Sequence, residues 1–252
     1  MSATGRGSER IAADNYPTPG WCVRRLLEAV ELPSGYWLEP CAGEGAIVDV
    51  LRERQWGGAW GCNELWACEL RPECEERLKS KADRVLIHDF TDVDGWPMIS
   101  AAISNPPFGI AERIIKTALA LPGSPVVAML LRLNFLEGQA RADWLRVQPP
   151  DVYVLPERPS FAHKVSCAHE VTGRTGDGDA VMAMRGCGWQ ELIPHTDLIH
   201  LAECPKCDGP TRRSAATDSI GYGWFVWPAE RERACGSVRV LASTPKEERR
   251  AA

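Results

Sequence analysis

Short apolar runs that alternate with amphipathic stretches are the feature of this sequence that most restricts its fold. The apolar runs are bounded by Gly and Pro, as strands are, and the stretches between them have helical spacing. This strand–helix repetition predicts an α/β domain with a mostly parallel, seven-stranded sheet and helices on both faces. The predicted strands are residues 36–38, 66–70, 85–87, 101–104, 126–131, 152–155 and 222–227, with helices at 46–51, 111–121, 143–147 and after Pro72.

The composition is that of a packed protein with enough residues for one large α/β domain and a small additional module. Of the 252 residues, 44% are apolar and 25% are charged, which argues against a disordered chain. The net charge of −5 excludes a histone-like polycation, so any contact with nucleic acid has to come from a local patch.

The sequence also lacks the apolar segments that export and membrane insertion require. Its start is polar, and its longest apolar run, residues 126–131, is too short to span a bilayer. Ten cysteines without an export signal indicate reduced thiols, for which metal ligation is more common than a disulfide framework. We therefore expect a cytoplasmic protein with no membrane partner, and the sequence does not indicate its oligomeric state.

The strand–helix pattern stops between residues 162 and 216, which are rich in Gly, His and Cys. We interpret this segment as an inserted module that resembles a zinc ribbon. The main domain is then formed by residues 1–161 and 217–240, and residues 241–252 are expected to be a charged, flexible tail.

A glycine-rich turn follows the first predicted strand, where parallel sheets collect their ligands. Its sequence is Glu39-Pro40-Cys41-Ala42-Gly43-Glu44-Gly45. Glycines here let the backbone approach a ligand closely and place a helix N-terminus beside it. No lysine or P-loop serine follows them, which argues against a nucleoside triphosphate.

Carboxylates end the next two strands. Glu69 is placed to accept both ribose hydroxyls of a nucleoside cofactor, and Glu64 is a rival for that role. Asp89 is placed to accept a proton from an adenine amino group. Together with the glycines, these residues predict a site for a nucleoside cofactor.

The fourth strand ends in Asn105-Pro106-Pro107-Phe108, directly before a predicted helix. The two prolines end the strand and have no N–H to donate, so this segment is a stiff turn at the same edge of the sheet as the glycine-rich turn. Phe108 adds an aromatic face on which a planar ligand can stack.

These motifs, in this order, resemble the class I S-adenosylmethionine-dependent methyltransferases with a Rossmann-like fold. They are most similar to the compact, phage-encoded enzymes that methylate adenine N6 in DNA. The resemblance covers residues 14–161 and 217–227. The chain departs from the family in two respects, because it lacks a large target-recognition domain and carries the insertion.

The resemblance implies roles for individual residues. Asn105 to Phe108 match the catalytic motif, and Phe161 would be a second stacking residue for the substrate. Residues 14–19 resemble the N-terminal motif that helps to hold the methionine part of the cofactor. The implied contacts to S-adenosylmethionine are Tyr16, Thr18, Pro19, Glu39, Pro40, Cys41, Gly43, Gly45, Glu69 and Asp89.

Cysteines in the insertion predict one structural Zn²⁺. Cys204 and Cys207 have the two-residue spacing of a zinc knuckle, and Cys187 looks like the second half of another, with Met184 in place of its first cysteine. The fourth ligand is left open among Cys167, His169, His195 and His200, and Cys167 or His169 is favoured.

The sequence thus predicts transfer of a methyl group from S-adenosylmethionine to adenine N6 in DNA. Other amino or amide acceptors share the delocalised nitrogen, namely an RNA base, cytosine N4 or a protein glutamine. RNA has the most weight among them, because a substrate read by shape does not need a recognition domain. An inactive cofactor-binding scaffold is the alternative of a different class.

Overall fold

The computed structural model describes residues 17–53, 61–167, 170–174, 181–185, 190–194, 205–206, 211–217, 220–229 and 236–250. The chain forms two compact units. One is built on Ser160–Thr217, and the other on Thr18–Pro159 together with Asp218–Ala252.

The second of these, the sheet unit, contains eight described strands and six helices. Its strands are β1 (Gly35–Glu39), β2 (Cys62–Glu69), β3 (Arg84–Ile87), β4 (Ile99–Ser104), β5 (Val126–Arg132), β6 (Asp151–Val154), β12 (Tyr222–Trp227) and β13 (Val238–Val240). Its helices are α1 (Gly20–Ala29), α2 (Ala46–Leu51), α3 (Glu75–Lys79), α4 (Ala111–Leu119), α5 (Gln139–Val147) and α6 (Lys246–Arg250).

The eight strands form one sheet in the order β13-β6-β12-β5-β4-β1-β2-β3. The block from β5 to β3 is parallel throughout. Strand β12 is inserted antiparallel between β5 and β6. A mostly parallel sheet with a single antiparallel strand between β5 and β6 is the Rossmann-like fold of class I methyltransferases. The predicted fold class is therefore confirmed.

All seven predicted strands form, and the sheet has an eighth that the sequence did not predict. Strand β13 is three residues long and exposed, and it runs parallel to β6 at the sheet edge. Backbone bonds hold it there, from Val152 N–H to Ser237 O at 2.7 Å and from Leu241 N–H to Val154 O at 2.9 Å. A run as short as Val238-Arg239-Val240, with both valines exposed, is too short to distinguish a strand from a loop in the sequence.

The core of the sheet unit lies between the sheet and its helices. Fully buried β-branched and Leu residues of the strands pack with one face of α4, which contributes Ile114 and Ile115. The four buried residues of helix α1, which was not among the predicted elements, are Trp21, Cys22, Val23 and Leu26. Among the described residues, no helix is long and apolar enough to cross a membrane.

The other unit contains two small antiparallel sheets. Strand β7 (Ser160–Cys167) lies between β10 (Gln190–Pro194) and β11 (Thr211–Thr217), and β8 (Glu170–Arg174) pairs with β9 (Val181–Arg185). This unit coincides closely with the segment that the sequence marks as an insertion.

The C-terminal segment differs from the expected flexible tail, because residues 246–250 form helix α6. The Arg25 guanidinium of α1 pairs with Glu248 of α6 at 2.7 Å and donates from Nε to Thr244 Oγ1 at 3.0 Å. These contacts join the two ends of the sheet unit.

Candidate functional site

The parallel strands bring five polar side chains to one edge of the sheet. Glu39, Glu69 and Arg132 are the last residues of β1, β2 and β5, and Asn105 directly follows β4. Asp89 lies two residues beyond the end of β3. Because the strands are parallel, all five lie at carboxyl ends, as the sequence predicts for a ligand site.

The glycine turn that joins β1 to α2 needs its glycines for backbone reasons. Gly43 and Gly45 have φ angles of +55° and +83°, which disfavour any residue with a Cβ. A Cβ on Gly45 would also lie 2.9 Å from Lys81 Cδ. The Lys81 ammonium donates to Glu44 O at 2.9 Å and so fixes the turn from outside.

Glu39 is buried beneath this turn, with only 2% of its surface exposed. The Val48 N–H donates to Glu39 Oε2 at 3.2 Å. Burial raises the pKa of Glu39 well above its ordinary value; the Val48 hydrogen bond opposes the shift, and the Glu69 charge adds to it. The positive charge of Lys81 also opposes the shift, so a cation near Glu39 favours its ionised form.

Glu69 holds the other side of the turn. Gly43 N–H donates to its Oε2 at 2.6 Å, and Arg71 donates to its Oε1 from both the backbone N–H and Nε at 3.0 Å. A carboxylate has about four acceptor positions, so Glu69 keeps capacity for a ligand hydroxyl. Its rival Glu64 lies near the start of β2 and pairs with Arg84 at 2.6 Å, away from the site edge.

Asp89 offers a carboxylate to a ligand in a more open position. Its Oδ1 accepts from the Thr91 hydroxyl at 2.6 Å and from the Thr91 N–H at 2.9 Å. These bonds lower the pKa of Asp89, so it is ionised at neutral pH. Both of these bonds are to Oδ1, and no described residue donates a hydrogen bond to Asp89 Oδ2.

The remaining predicted cofactor residues divide between the turn and the start of α1. Pro40 is buried in the turn, and burial raises the pKa of the Cys41 thiol far above its ordinary value. Thr18 is buried, and the Pro19 carbonyl accepts from Cys22 N–H at 2.9 Å at the start of α1. Tyr16 lies outside the described residues.

The segment from Asn105 to Phe108 forms the connection from β4 to α4. Asn105, Pro107 and Phe108 are half-buried, and Pro106 is buried. Ile110 N–H donates to Pro107 O at 3.1 Å, which turns the chain into the helix. The two prolines have no N–H to donate and fixed φ angles, so the Asn105 amide is carried on a stiff support.

Two residues beside Phe108 were not predicted from the sequence. The Arg132 guanidinium lies over the Phe108 ring, 4.6 Å from its centroid, and Arg132 Nε donates to Tyr222 Oη at 3.1 Å. The Tyr222 ring lies 6.0 Å from that of Phe108. The charged end of an otherwise apolar strand was the available signal for Arg132.

Phe161, which the sequence placed at the end of the main domain, and Cys167, a predicted metal ligand of the insertion, both belong to the other unit. Phe161 is buried in β7, and Cys167 is the last residue of that strand. Cys187, Cys204 and Cys207 lie outside the described residues. Within the described part of the chain, no cluster of three or more His, Cys, Asp or Glu could hold a metal ion.

No protein-family model matches the chain, and no curated protein matches its sequence. Among solved structures, the 23S rRNA methyltransferase ErmE is 17% identical over 68% of this chain and 66% of its own, with a TM-score of 0.35. A precorrin-6y C5,15-methyltransferase from Geobacter metallireducens is 13% identical, covering 88% and 91%, with a TM-score of 0.40. A dimethyladenosine transferase from Plasmodium falciparum is 11% identical, covering 72% and 63%, with a TM-score of 0.39. Since these TM-scores lie below 0.5, the assignment of the fold rests on the strand order and directions of the sheet.

Proposed function

We propose that this protein transfers a methyl group from S-adenosylmethionine to the exocyclic N6 amine of adenine in DNA. One observation carries the proposal: the Asn105–Phe108 segment lies at the same carboxyl edge of the sheet as the glycine turn and its carboxylates. An acceptor held by Asn105 and a cofactor held by the turn would therefore meet at that edge.

The residues of this edge fit S-adenosylmethionine. The left-handed Gly43 and Gly45 place no side chain at two positions of the turn, Glu69 retains acceptor capacity for one ribose hydroxyl, and Asp89 Oδ2 suits the adenine amino group. Glu39 places a carboxylate beneath the turn, where a cationic ligand would favour its ionised form. When bound, the cofactor supplies a methyl group on a positively charged sulfur.

Asn105 and Pro106 would act on the acceptor amine. The Asn105 side-chain oxygen and the Pro106 carbonyl can each accept one N–H, which draws the nitrogen toward a pyramidal geometry and frees its lone pair. The stiff prolines hold both acceptors in place before the amine arrives, so little reorganisation is needed. Phe108 supplies the apolar face on which the base would stack.

The decisive experiment is methyl transfer from tritiated S-adenosylmethionine to duplex DNA, single-stranded DNA and total RNA, followed by digestion to nucleosides. Label in N6-methyldeoxyadenosine supports the proposal. Label in N4-methylcytosine or in RNA changes the acceptor. Cofactor binding without label in any nucleic acid would favour a protein glutamine acceptor or an inactive scaffold.

We predict that Asn105→Ala abolishes transfer while the Kd for S-adenosylmethionine stays within about tenfold, because Asn105 acts on the acceptor. Asn63→Ala is the matched control: Asn63 is an exposed residue near the start of β2 and should retain activity. Parallel loss of cofactor binding and activity in Asn105→Ala would show that the role assigned to Asn105 is wrong.

We also propose that the insertion binds one structural Zn²⁺ with Cys167 as the fourth ligand. Strand register supports the choice, because Cys167 at the end of β7 lies opposite Thr211, and its neighbour Ser166 lies opposite Gln190. In the sequence, Cys187 precedes Gln190 by three residues and Cys207 precedes Thr211 by four. The end of β7 and the starts of β10 and β11, the described residues nearest to these cysteines in the sequence, therefore lie at one end of the sheet.

A further inference from the structure

Phe108, Arg132 and Tyr222 form a cluster that we call the Phe108 clamp. The Arg132 guanidinium covers the Phe108 ring at 4.6 Å, and the Tyr222 ring lies 6.0 Å away with a tilt of 46°. Arg132 Nε donates to Tyr222 Oη at 3.1 Å. The guanidinium thus contacts the aromatic ring of the catalytic motif and, at the same time, a phenol from another strand.

Strand pairing on both sides determines where Arg132 lies. Arg132 pairs with Tyr222 in the antiparallel register of β5 and β12, and Leu133 N–H extends this pairing by donating to Gly221 O at 2.9 Å. On the other side, Ser104 at the end of β4 is level with Met129 of β5. Strand β5 therefore continues three residues beyond the end of β4, and its last side chain reaches the segment that carries Phe108.

The Tyr222 side of the clamp is rigid. Tyr222 is 1% exposed, so its hydroxyl is a fixed acceptor for Arg132. A planar cation over the face of an aromatic ring is attracted by the ring's quadrupole. Phe108 itself is half-buried, in the connection between β4 and α4, and the Arg132 guanidinium occupies one face of its ring.

We propose that Arg132 is a positioning residue for the acceptor base and acts through Phe108, an inference that rests on the proposed function. By fixing the ring and closing one of its faces, Arg132 leaves a single orientation in which a flipped base can stack beside Asn105. The amine would then meet its acceptors in the reactive geometry more often, which raises kcat rather than the affinity for DNA.

The test compares steady-state methylation of duplex DNA by the full chain and by Arg132→Met, Arg132→Lys and Tyr222→Phe. Arg132→Met should lower kcat by about tenfold or more, with KM for DNA and Kd for the cofactor within about threefold. Arg132→Lys keeps the positive charge but loses the planar guanidinium, so its kcat should lie between those of Arg132→Met and the wild type. Tyr222→Phe should lower kcat less than Arg132→Met does. The double variant Arg132→Met with Tyr222→Phe should have the same kcat as Arg132→Met alone.

The chain offers a matched control in Arg141. Its guanidinium lies 4.7 Å from the Phe135 ring centroid, and its Nε donates to Phe135 O at 3.0 Å. Arg141→Met therefore removes the same kind of contact from the same unit, outside the catalytic motif. It should leave kcat within about twofold, whatever it costs in stability.

Each other outcome has a definite meaning. If the wild type labels no nucleic acid, the proposed function fails and the inference fails with it. If the wild type is active and Arg132→Met keeps its kcat, only the inference is overturned. A raised KM for DNA with a smaller salt dependence would instead make Arg132 a phosphate contact, and a similar loss in Arg141→Met would indicate general damage to the fold.

Discussion

Glu39 is the less exposed of two buried carboxylates at the site, with 2% of its surface exposed against 8% for Glu69. The two differ in their partners as well as in their burial. Glu69 accepts hydrogen bonds from Gly43 and Arg71, whereas the bond found for Glu39 among the described residues comes from the Val48 N–H. Glu39 therefore relies on one backbone group and on any cation that binds at the turn.

The raised pKa of Glu39 predicts a pH dependence of folding. The folded protein binds the Glu39 proton more tightly than the unfolded chain does, so this contribution to stability is fully present below the unfolded pKa and is lost as the pH rises through the folded pKa. Glu39→Gln should remove that loss, because the amide does not ionise in this pH range, and its oxygen can still accept from the Val48 N–H. Urea unfolding between pH 4 and pH 8, without cofactor, should show a flatter pH profile for the variant.

Glu31→Gln serves as the control, since Glu31 is exposed in the connection between α1 and β1. Its pH profile should match that of the wild type. Equal slopes for Glu39→Gln and the wild type would show that Glu39 is ionised in the folded, cofactor-free protein.

At the scale of elements, the three-stranded sheet of the insertion leads to a prediction about zinc binding. Strand β7 pairs with β10 and β11 in antiparallel register, so the end of β7 and the starts of its two neighbours lie together. Pro205 and Lys206, the two residues between Cys204 and Cys207, form an exposed turn, as a zinc knuckle requires.

We predict that the purified protein contains one zinc per chain and that Cys204→Ser with Cys207→Ser releases it. Cys167→Ser should also lose zinc and His169→Gln should keep it if, as we propose, Cys167 is the fourth ligand. Metal analysis after dialysis measures the outcome, and chelation should destabilise the insertion. Cys62→Ser in β2, far from any ligand spacing, should retain full zinc.

A wild type without zinc would end the zinc proposal. Retention of zinc by Cys167→Ser together with its loss from His169→Gln would leave the metal in place but move the fourth ligand to the histidine.

At the scale of the whole molecule, the sheet unit is closed by contacts between its two ends. The Arg25 side chain is 12% exposed and joins α1 to Thr244 and Glu248. Thr244 is itself buried, and its N–H donates to Glu157 Oε1 at 3.2 Å. The C-terminal segment is therefore part of the packed unit despite its charged sequence.

We predict that Arg25→Met lowers the free energy of unfolding by about 1–3 kcal/mol, because it leaves a buried Thr244 hydroxyl without this donor. Arg24→Met, on the same helix, should cost about 1 kcal/mol or less, since its pair with Glu53 is more exposed. Urea unfolding measures these free energies for both variants and for a chain from which residues 243–252 have been deleted. Equal costs for the two arginines would contradict a structural role for the C-terminal segment.

The sequence by itself determined the features that depend on patterns within contiguous residues. Alternating apolar and amphipathic runs specified the seven strands, because burial on a parallel sheet imposes that pattern on contiguous residues. The order of the glycine turn, Glu69, Asp89 and Asn105 then placed them at one edge, since parallel strands bring all their carboxyl ends together. The break in this pattern between residues 162 and 216 predicts the inserted module.

Only the tertiary structure decided which side chains meet across the sheet. Arg132 lies 90 residues before Tyr222 and contacts it because β12 is reversed and in one particular register with β5. The three-residue strand β13 and the partners of Arg25 depend in the same way on pairings between distant segments. The register between strands that are distant in the sequence depends on the packing of the whole sheet, so the pattern within each strand does not specify which side chains meet across it.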